Sequence, residues 1–129
     1  MEKSIQIAKS VLGNMFKIET IHFEKHLSRS ANINEARRFL IFYLYTECNI
    51  KHLHMKKYVP ALQNHATSIH HFRKMSDLME MEVKTRNLYA EFKTTMINHG
   101  HSHLMNDYTN AVQDLAAIQN RLSTLKKMI

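Results

Sequence analysis

A chain with two glycines and one proline in 129 residues holds almost none of the turn chemistry that a sheet needs between its strands. Its apolar residues recur instead at helical spacing, with Ile5, Ala8, Leu12, Met15 and Phe16 falling on one face of a first helix. Nine methionines, with many Leu, Lys, Glu, Gln and Ala, supply strong helix formers, so the chain reads as all-α. A balance of 44% hydrophobic to 22% charged residues is that of a folded chain with a modest core rather than a disordered one.

Further along, Ile21, Phe23, Glu24 and Leu27 mark a short second helix after a connection over residues 17–20, and Ser28-Arg29-Ser30-Ala31-Asn32 reads as a loop. Asn32 followed by Glu35 has the form of a capping box. It opens an apolar helix through Phe39, Leu40, Phe42, Tyr43 and Leu44 to about Cys48, an aromatic stripe suited to a core. Residues 52–58 read as a short helix and residues 59–63 as a turn in which Pro60 disfavours continuation, before another helix opens at Asn64. Cys48 is the single cysteine, so no intramolecular disulfide forms, and in an apolar helix it reads as a small hydrophobe rather than a nucleophile. No apolar run approaches the roughly 20 residues of a membrane span or the pattern of a secretory signal, and the expectation is a cytoplasmic protein.

Charge is unevenly placed. Residues 1–75 carry twelve Lys and Arg against five Asp and Glu, a net of +7, whereas residues 76–129 carry six of each and sum to zero. Such a basic half suits a phosphate backbone, which rewards cations through counterion release. Membrane attachment is the rival explanation, but residues 1–16 hold only Lys3 and Lys9 beside Ile5, Ile7, Val11, Leu12 and Phe16, too few cations for a surface anchor.

Within the basic half, Asn64-His65-Ala66-Thr67-Ser68-Ile69-His70-His71-Phe72-Arg73-Lys74-Met75 has the layout of a groove-reading helix. Short polar residues stand at its head, where base edges are met, and Arg73 and Lys74 follow two turns later, where phosphates lie. The plainer reading is that Asn64 and Thr67 cap the helix and that His70 and His71 are solvated. A short helix, a short turn and a polar-headed helix in that order form the helix-turn-helix plan.

Residues 5–96, roughly three quarters of the chain, resemble the C-terminal DNA-binding domain of the bacterial replication initiator DnaA. That family's signature, Asp-His-Thr-Thr-Val-x-x-Ala-x-x-Lys/Arg-Ile, aligns with Asn64–Met75, where His65, Thr67 and the basic pair match it. Arg38, Tyr43-Leu44 and Glu47 resemble the family's Arg-Gln-x-Ala-Met-Tyr-Leu-Ala-Arg-Glu helix, and Leu53 falls where its Ser-Leu-x-Glu-Ile begins. The resemblance implies a Trp-repressor-like helix-turn-helix bundle over residues 1–98 that reads double-stranded DNA. It implies base contacts from Asn64, His65 and Ala66, phosphate contacts from Arg38, Thr67, His70 and Lys74, and a minor-groove contact from Arg29. Lys56, Lys57 and Arg73 join the phosphate set as cations of the same basic half. Asn64 stands in place of the signature's acid, Ala66 in place of its base-contacting threonine, and Ala61-Leu62-Gln63 in place of Gly-Gly-Arg, so the DNA target differs from the initiator's own. No Gly-x-x-x-x-Gly-Lys-Ser/Thr loop is present, which excludes the initiator's ATPase chemistry and leaves a stand-alone reader regulating replication or transcription.

The remaining residues, 99–129, form a separate helical element. Leu104, Tyr108, Ala111, Leu115, Ile118, Leu122, Leu125 and Ile129 follow alternating steps of four and three, a coiled-coil seam. Leu78, Met81, Thr85, Leu88, Phe92 and Thr95 offer similar steps, and Asn98-His99-Gly100 reads as a helix stop with a left-handed glycine. The seam serves either a hairpin within one chain or a homodimer through residues 101–129.

His99, His101 and His103 alternate, and His22 and His26 share a helical spacing, but neither group has carboxylate or cysteine partners beside it, so no metal site is expected. No nucleophile set or carboxylate pair argues for catalysis, and neither a cofactor nor a small-molecule substrate is expected. Two other classes compete with DNA reading: an adaptor binding a protein through its C-terminal helices, and an RNA binder. RNA recognition relies on exposed aromatics, whereas Phe39, Phe42 and Tyr43 lie on the core stripe.

Overall fold

The computed structural model describes residues 2–27 and 30–100, and among them every regular element is helical. In order these are α1 (Glu2–Phe16), α2 (Ile21–Glu24), α3 (Ala31–Thr46), a 3-10 turn (His52–His54), α4 (Met55–Tyr58) and α5 (His65–Met81). Residues 83–100 are helical as well. The chain divides into two compact units, Met1–Met96 and Ile97–Ile129. Residues 101–129, which carry the expected coiled-coil or hairpin seam, lie outside the described residues. Among the described residues no helix is long and apolar enough to cross a membrane.

α3 is the central element, with α1 and α5 packed on it. Its residues Ile33, Ala36, Phe39, Leu40, Ile41 and Leu44 are buried, repeating at three- and four-residue steps. α1 contributes Ile5, Ala8 and Leu12 to the same core. α1 ends where Ile18 N donates to Gly13 O at 2.9 Å, with Lys17 in the left-handed region at φ 56°. A Cβ on Gly13 would stand 3.0 Å from Ile18 O, which explains a glycine inside this helix. α3 closes alike: Ile50 N reaches Leu44 O at 3.0 Å around Asn49, at φ 57°.

α3 starts two residues before the expected capping box. Ser30, not Asn32, is its N-cap, and Ser30 Oγ accepts from Ile33 N at 3.4 Å. Starting at Ala31 brings Ile33 onto the buried face within the first turn, a gain that the polar Asn32–Glu35 pair cannot match. Arg37, only 3% exposed, anchors α2 to α3: its Nε donates to His22 O at 2.9 Å and its Nη2 to Lys25 O at 3.3 Å. Lys9 Nζ lies 2.6 Å from Glu24 Oε1 and ties α2 to α1.

The expected stripe from Leu78 to Thr95 is not one continuous helix. Glu82 is extended (φ −117°, ψ 118°), and Met81 beside it is 81% exposed. Arg86 Nη1 donates to Met79 O and Glu80 O, each at 2.9 Å, supplying partners for carbonyls that α5 leaves open at its end. The break allows Tyr89 and Phe92 to turn onto α3, with Tyr89 edge-on to Phe42 at 5.1 Å and Phe92 edge-on to Tyr43 at 5.0 Å. Nor does the helix stop at residues 98–100: these are helical, and Gly100 has no positive φ.

Candidate nucleic-acid interface

α5 opens on Asn64, which is extended (φ −162°, ψ 177°) and accepts through Oδ1 from Thr67 N at 3.0 Å and from Thr67 Oγ1 at 3.3 Å. The cap therefore occupies the amide oxygen of Asn64 and the hydroxyl proton of Thr67. It leaves the amide nitrogen of the exposed Asn64 as that side chain's remaining hydrogen-bonding group. His65 and Ala66 follow, both exposed in the first turn. One face of the helix, through Ser68, Phe72, Met75 and Met79, turns to the core; the other presents Ala66, His70, Arg73, Lys74 and Asp77 to solvent.

Two sets of contacts hold α5 in place. Phe72 stacks on Phe42 at 5.4 Å, and Ser68, fully buried, places its Oγ 2.8 Å from His52 Nδ1. His52 is stacked in turn on Tyr45 at 4.4 Å and meets the edge of Phe72 at 5.3 Å. Burial, with Arg73 nearby, lowers the His52 pKa and favours the neutral ring. The turn before α5 is also pinned. Ala61 N donates to Phe23 O at 3.1 Å, Leu62 is buried, and Lys56 Nζ reaches Gln63 O at 3.4 Å.

Asn34 and Arg38 of α3 face His70, His71 and Lys74 of α5 across a groove of about 600 Å³. Residues 34 and 38, like residues 70 and 74, stand one helical turn apart, so each helix lends one edge to the groove. No carboxylate lines it. His71 also lines a smaller neighbouring pocket of about 220 Å³ with His26, Arg37, Gln63 and Thr67. Burial, and then the charges of Arg38, His70 and Arg37, push the His71 pKa down to about 4, so its imidazole is neutral at pH 7.

Of the residues expected to meet phosphate, the fold gathers Arg38, His70 and Lys74 around one groove and sets Thr67 at the pocket beside it. Arg73 is exposed on the solvent side of α5, and Lys56 stands by the turn. Lys57 lies apart from them, lining a groove of about 330 Å³ with Lys3, Gln6, Lys9, Glu24 and Tyr58. Its Nζ stands 5.5 Å from the Tyr58 ring. Arg29, the expected minor-groove residue, lies outside the described residues. Asn34 and His71, which carry no expected DNA contact, join the groove as well; in the sequence they are marked by their place one turn from Arg38 and Lys74.

His22 and His26 do not share a helical face, because α2 ends at Glu24 and Lys25 is extended (φ −132°, ψ 141°). Among the described residues no group of three or more His, Cys, Asp or Glu is placed to hold a metal ion. His101 and His103 lie outside them. Cys48 is half-buried against the core, and burial pushes its thiol pKa up, which disfavours the thiolate. Compared with known protein families and with curated proteins, the chain matches none.

Proposed function

We propose that this chain is a double-stranded DNA-binding protein in which the 3-10 turn, α4 and α5 act as a helix-turn-helix of the Trp-repressor-like kind, with α5 entering the major groove. The observation that carries this reading is the carboxylate-free groove lined by Arg38, His70 and Lys74, next to a helix head at which Asn64, His65 and Ala66 are exposed. Cations at the flank suit phosphates, and short polar groups at the head suit base edges. The likeness of Asn64–Met75 to the DnaA signature and the +7 of residues 1–75 support it.

In this reading Asn64, His65 and Ala66 face bases, with Asn64 acting as a donor because its oxygen caps α5. Arg38, His70, Arg73 and Lys74 hold phosphates around that contact, Lys56 and Lys57 extend the basic surface, and Arg29 reaches the minor groove; Thr67, expected among the phosphate contacts, instead gives both its backbone N–H and its hydroxyl to the Asn64 cap. A protein so built occupies sites, as a regulator of replication or transcription does, and its four-three seam over residues 101–129 pairs two copies on two half-sites. Selection from a random duplex library tests this reading. A recurring motif among retained duplexes supports it. Retention of single-stranded RNA in preference to duplex DNA, or of neither, refutes it.

A further inference from the structure

We infer that DNA binding by this chain is proton-linked through His71: a backbone phosphate seated in the groove between α3 and α5 draws a proton onto the His71 imidazole, so that affinity rises on acidification. The inference rests on the DNA-binding reading and adds a ligand residue and a form of regulation to it.

The charged side chains beside His71 in its two pockets, Arg37, Arg38 and Lys74, are all cationic. Arg37 and Arg38 approach from α3, His70 and Lys74 share α5 with it, and His26 stands across the smaller pocket. Neither pocket is lined by a carboxylate. In the free protein the burial of the ring, and then Arg38, His70 and Arg37, favour its neutral form. A phosphodiester supplies the missing sign. An anion within hydrogen-bond reach of Arg38 and Lys74 offsets the repulsion that keeps the proton away, and it gives the protonated ring a charge-assisted partner.

The size of the effect follows from linkage. The His71 pKa stands at about 4 in the free chain. If a bound phosphate restores an ordinary imidazole value of about 6.5, affinity rises about tenfold between pH 7.5 and 5.5. At pH 6 each complex then takes up about 0.75 proton.

Calorimetry of the full chain with a random-sequence duplex at pH 6, in two buffers of different ionisation heat, counts the protons. The expected result is uptake of about 0.75 proton, with His71→Gln losing both the uptake and the roughly tenfold tightening. His99→Gln, at an exposed position of the second unit, keeps both. Binding without proton uptake, or uptake that persists in His71→Gln, overturns the inference and leaves the DNA-binding reading standing. Should His71→Gln not fold, the ring resonances of His71 in the unmodified chain at pH 6 answer directly: a shift to the imidazolium position with DNA supports the inference, and no shift overturns it. Should the chain bind no duplex at all, the DNA reading fails, and the same resonances titrated with inorganic pyrophosphate still decide. An imidazolium shift upholds a proton-linked phosphate groove, and its absence removes it.

Discussion

Nδ1 of His52 stands 2.8 Å from Oγ of Ser68, joining the 3-10 turn before α4 to the buried face of the helix proposed to read DNA. Ser68 has no exposed surface, and the His52 ring is held between Tyr45 and Phe72. Ser68→Ala leaves a half-buried ring nitrogen without its partner and is expected to lower unfolding free energy by about 1 kcal/mol. His52→Ala also removes the ring contacts and is expected to cost about 2 kcal/mol. Urea denaturation at pH 7.5 measures both; a Ser68→Ala variant as stable as the parent would show that this bond contributes nothing.

Acid sensitivity of the fold follows from His71. Its folded pKa of about 4 lies below the ordinary imidazole value, so between pH 6.5 and 4 the unfolded chain binds the proton more readily. The stabilisation is complete above about pH 6.5 and is lost as pH falls toward 4, to the extent of at most about 3 kcal/mol. Thermal melts across that range should therefore show a smaller loss of stability in His71→Gln than in the parent. Parallel curves would contradict the burial and charge environment described for this ring.

Lys17 takes a left-handed conformation that favours glycine, at φ 56°. Lys17→Gly relieves a backbone cost of about 1–2 kcal/mol, partly offset by the larger freedom of glycine in the unfolded chain. A net gain of about 0.5–1 kcal/mol is expected in the same denaturation experiment. A net loss would show that the Lys17 side chain contributes more than its backbone costs.

Base contact and phosphate contact separate by their dependence on sequence. His65→Ala is expected to weaken binding to a selected site by about 1–3 kcal/mol while changing random-DNA binding little. Lys74→Ala is expected to weaken both about equally. Equal losses on both DNAs for His65→Ala would take His65 out of the reading set.

The helices could be read in the sequence wherever their apolar spacing was local, as in Ile5 to Phe16, Phe39 to Leu44 and the segment opening at Asn64. The start of α3 was misplaced because Ser30 and Asn32 both have capping chemistry, and the choice between them depends on where Ile33 meets the core. The break at Glu82 was invisible for a related reason. Leu78, Met81, Thr85, Leu88 and Phe92 keep helical steps across it, whereas the break depends on Arg86 reaching the carbonyls of Met79 and Glu80 and on Tyr89 meeting Phe42. Arg38, His70 and Lys74 were each named as expected phosphate contacts by the resemblance to the DnaA domain. Their meeting in one groove with Asn34 and His71 was not, since it is made by two helices far apart in the chain, and no local pattern reports which faces oppose.

If the face built by α3 and α5 binds a DNA backbone, duplex affinity falls steeply with salt. With about four to six phosphates neutralised, a plot of log affinity against log salt should have a slope of about −4 to −5. Arg38→Gln combined with Lys74→Gln should make that slope shallower by about two. A flat response, a slope unchanged by the double substitution, or no binding to duplex DNA at low salt would show that this face does not bind a DNA backbone.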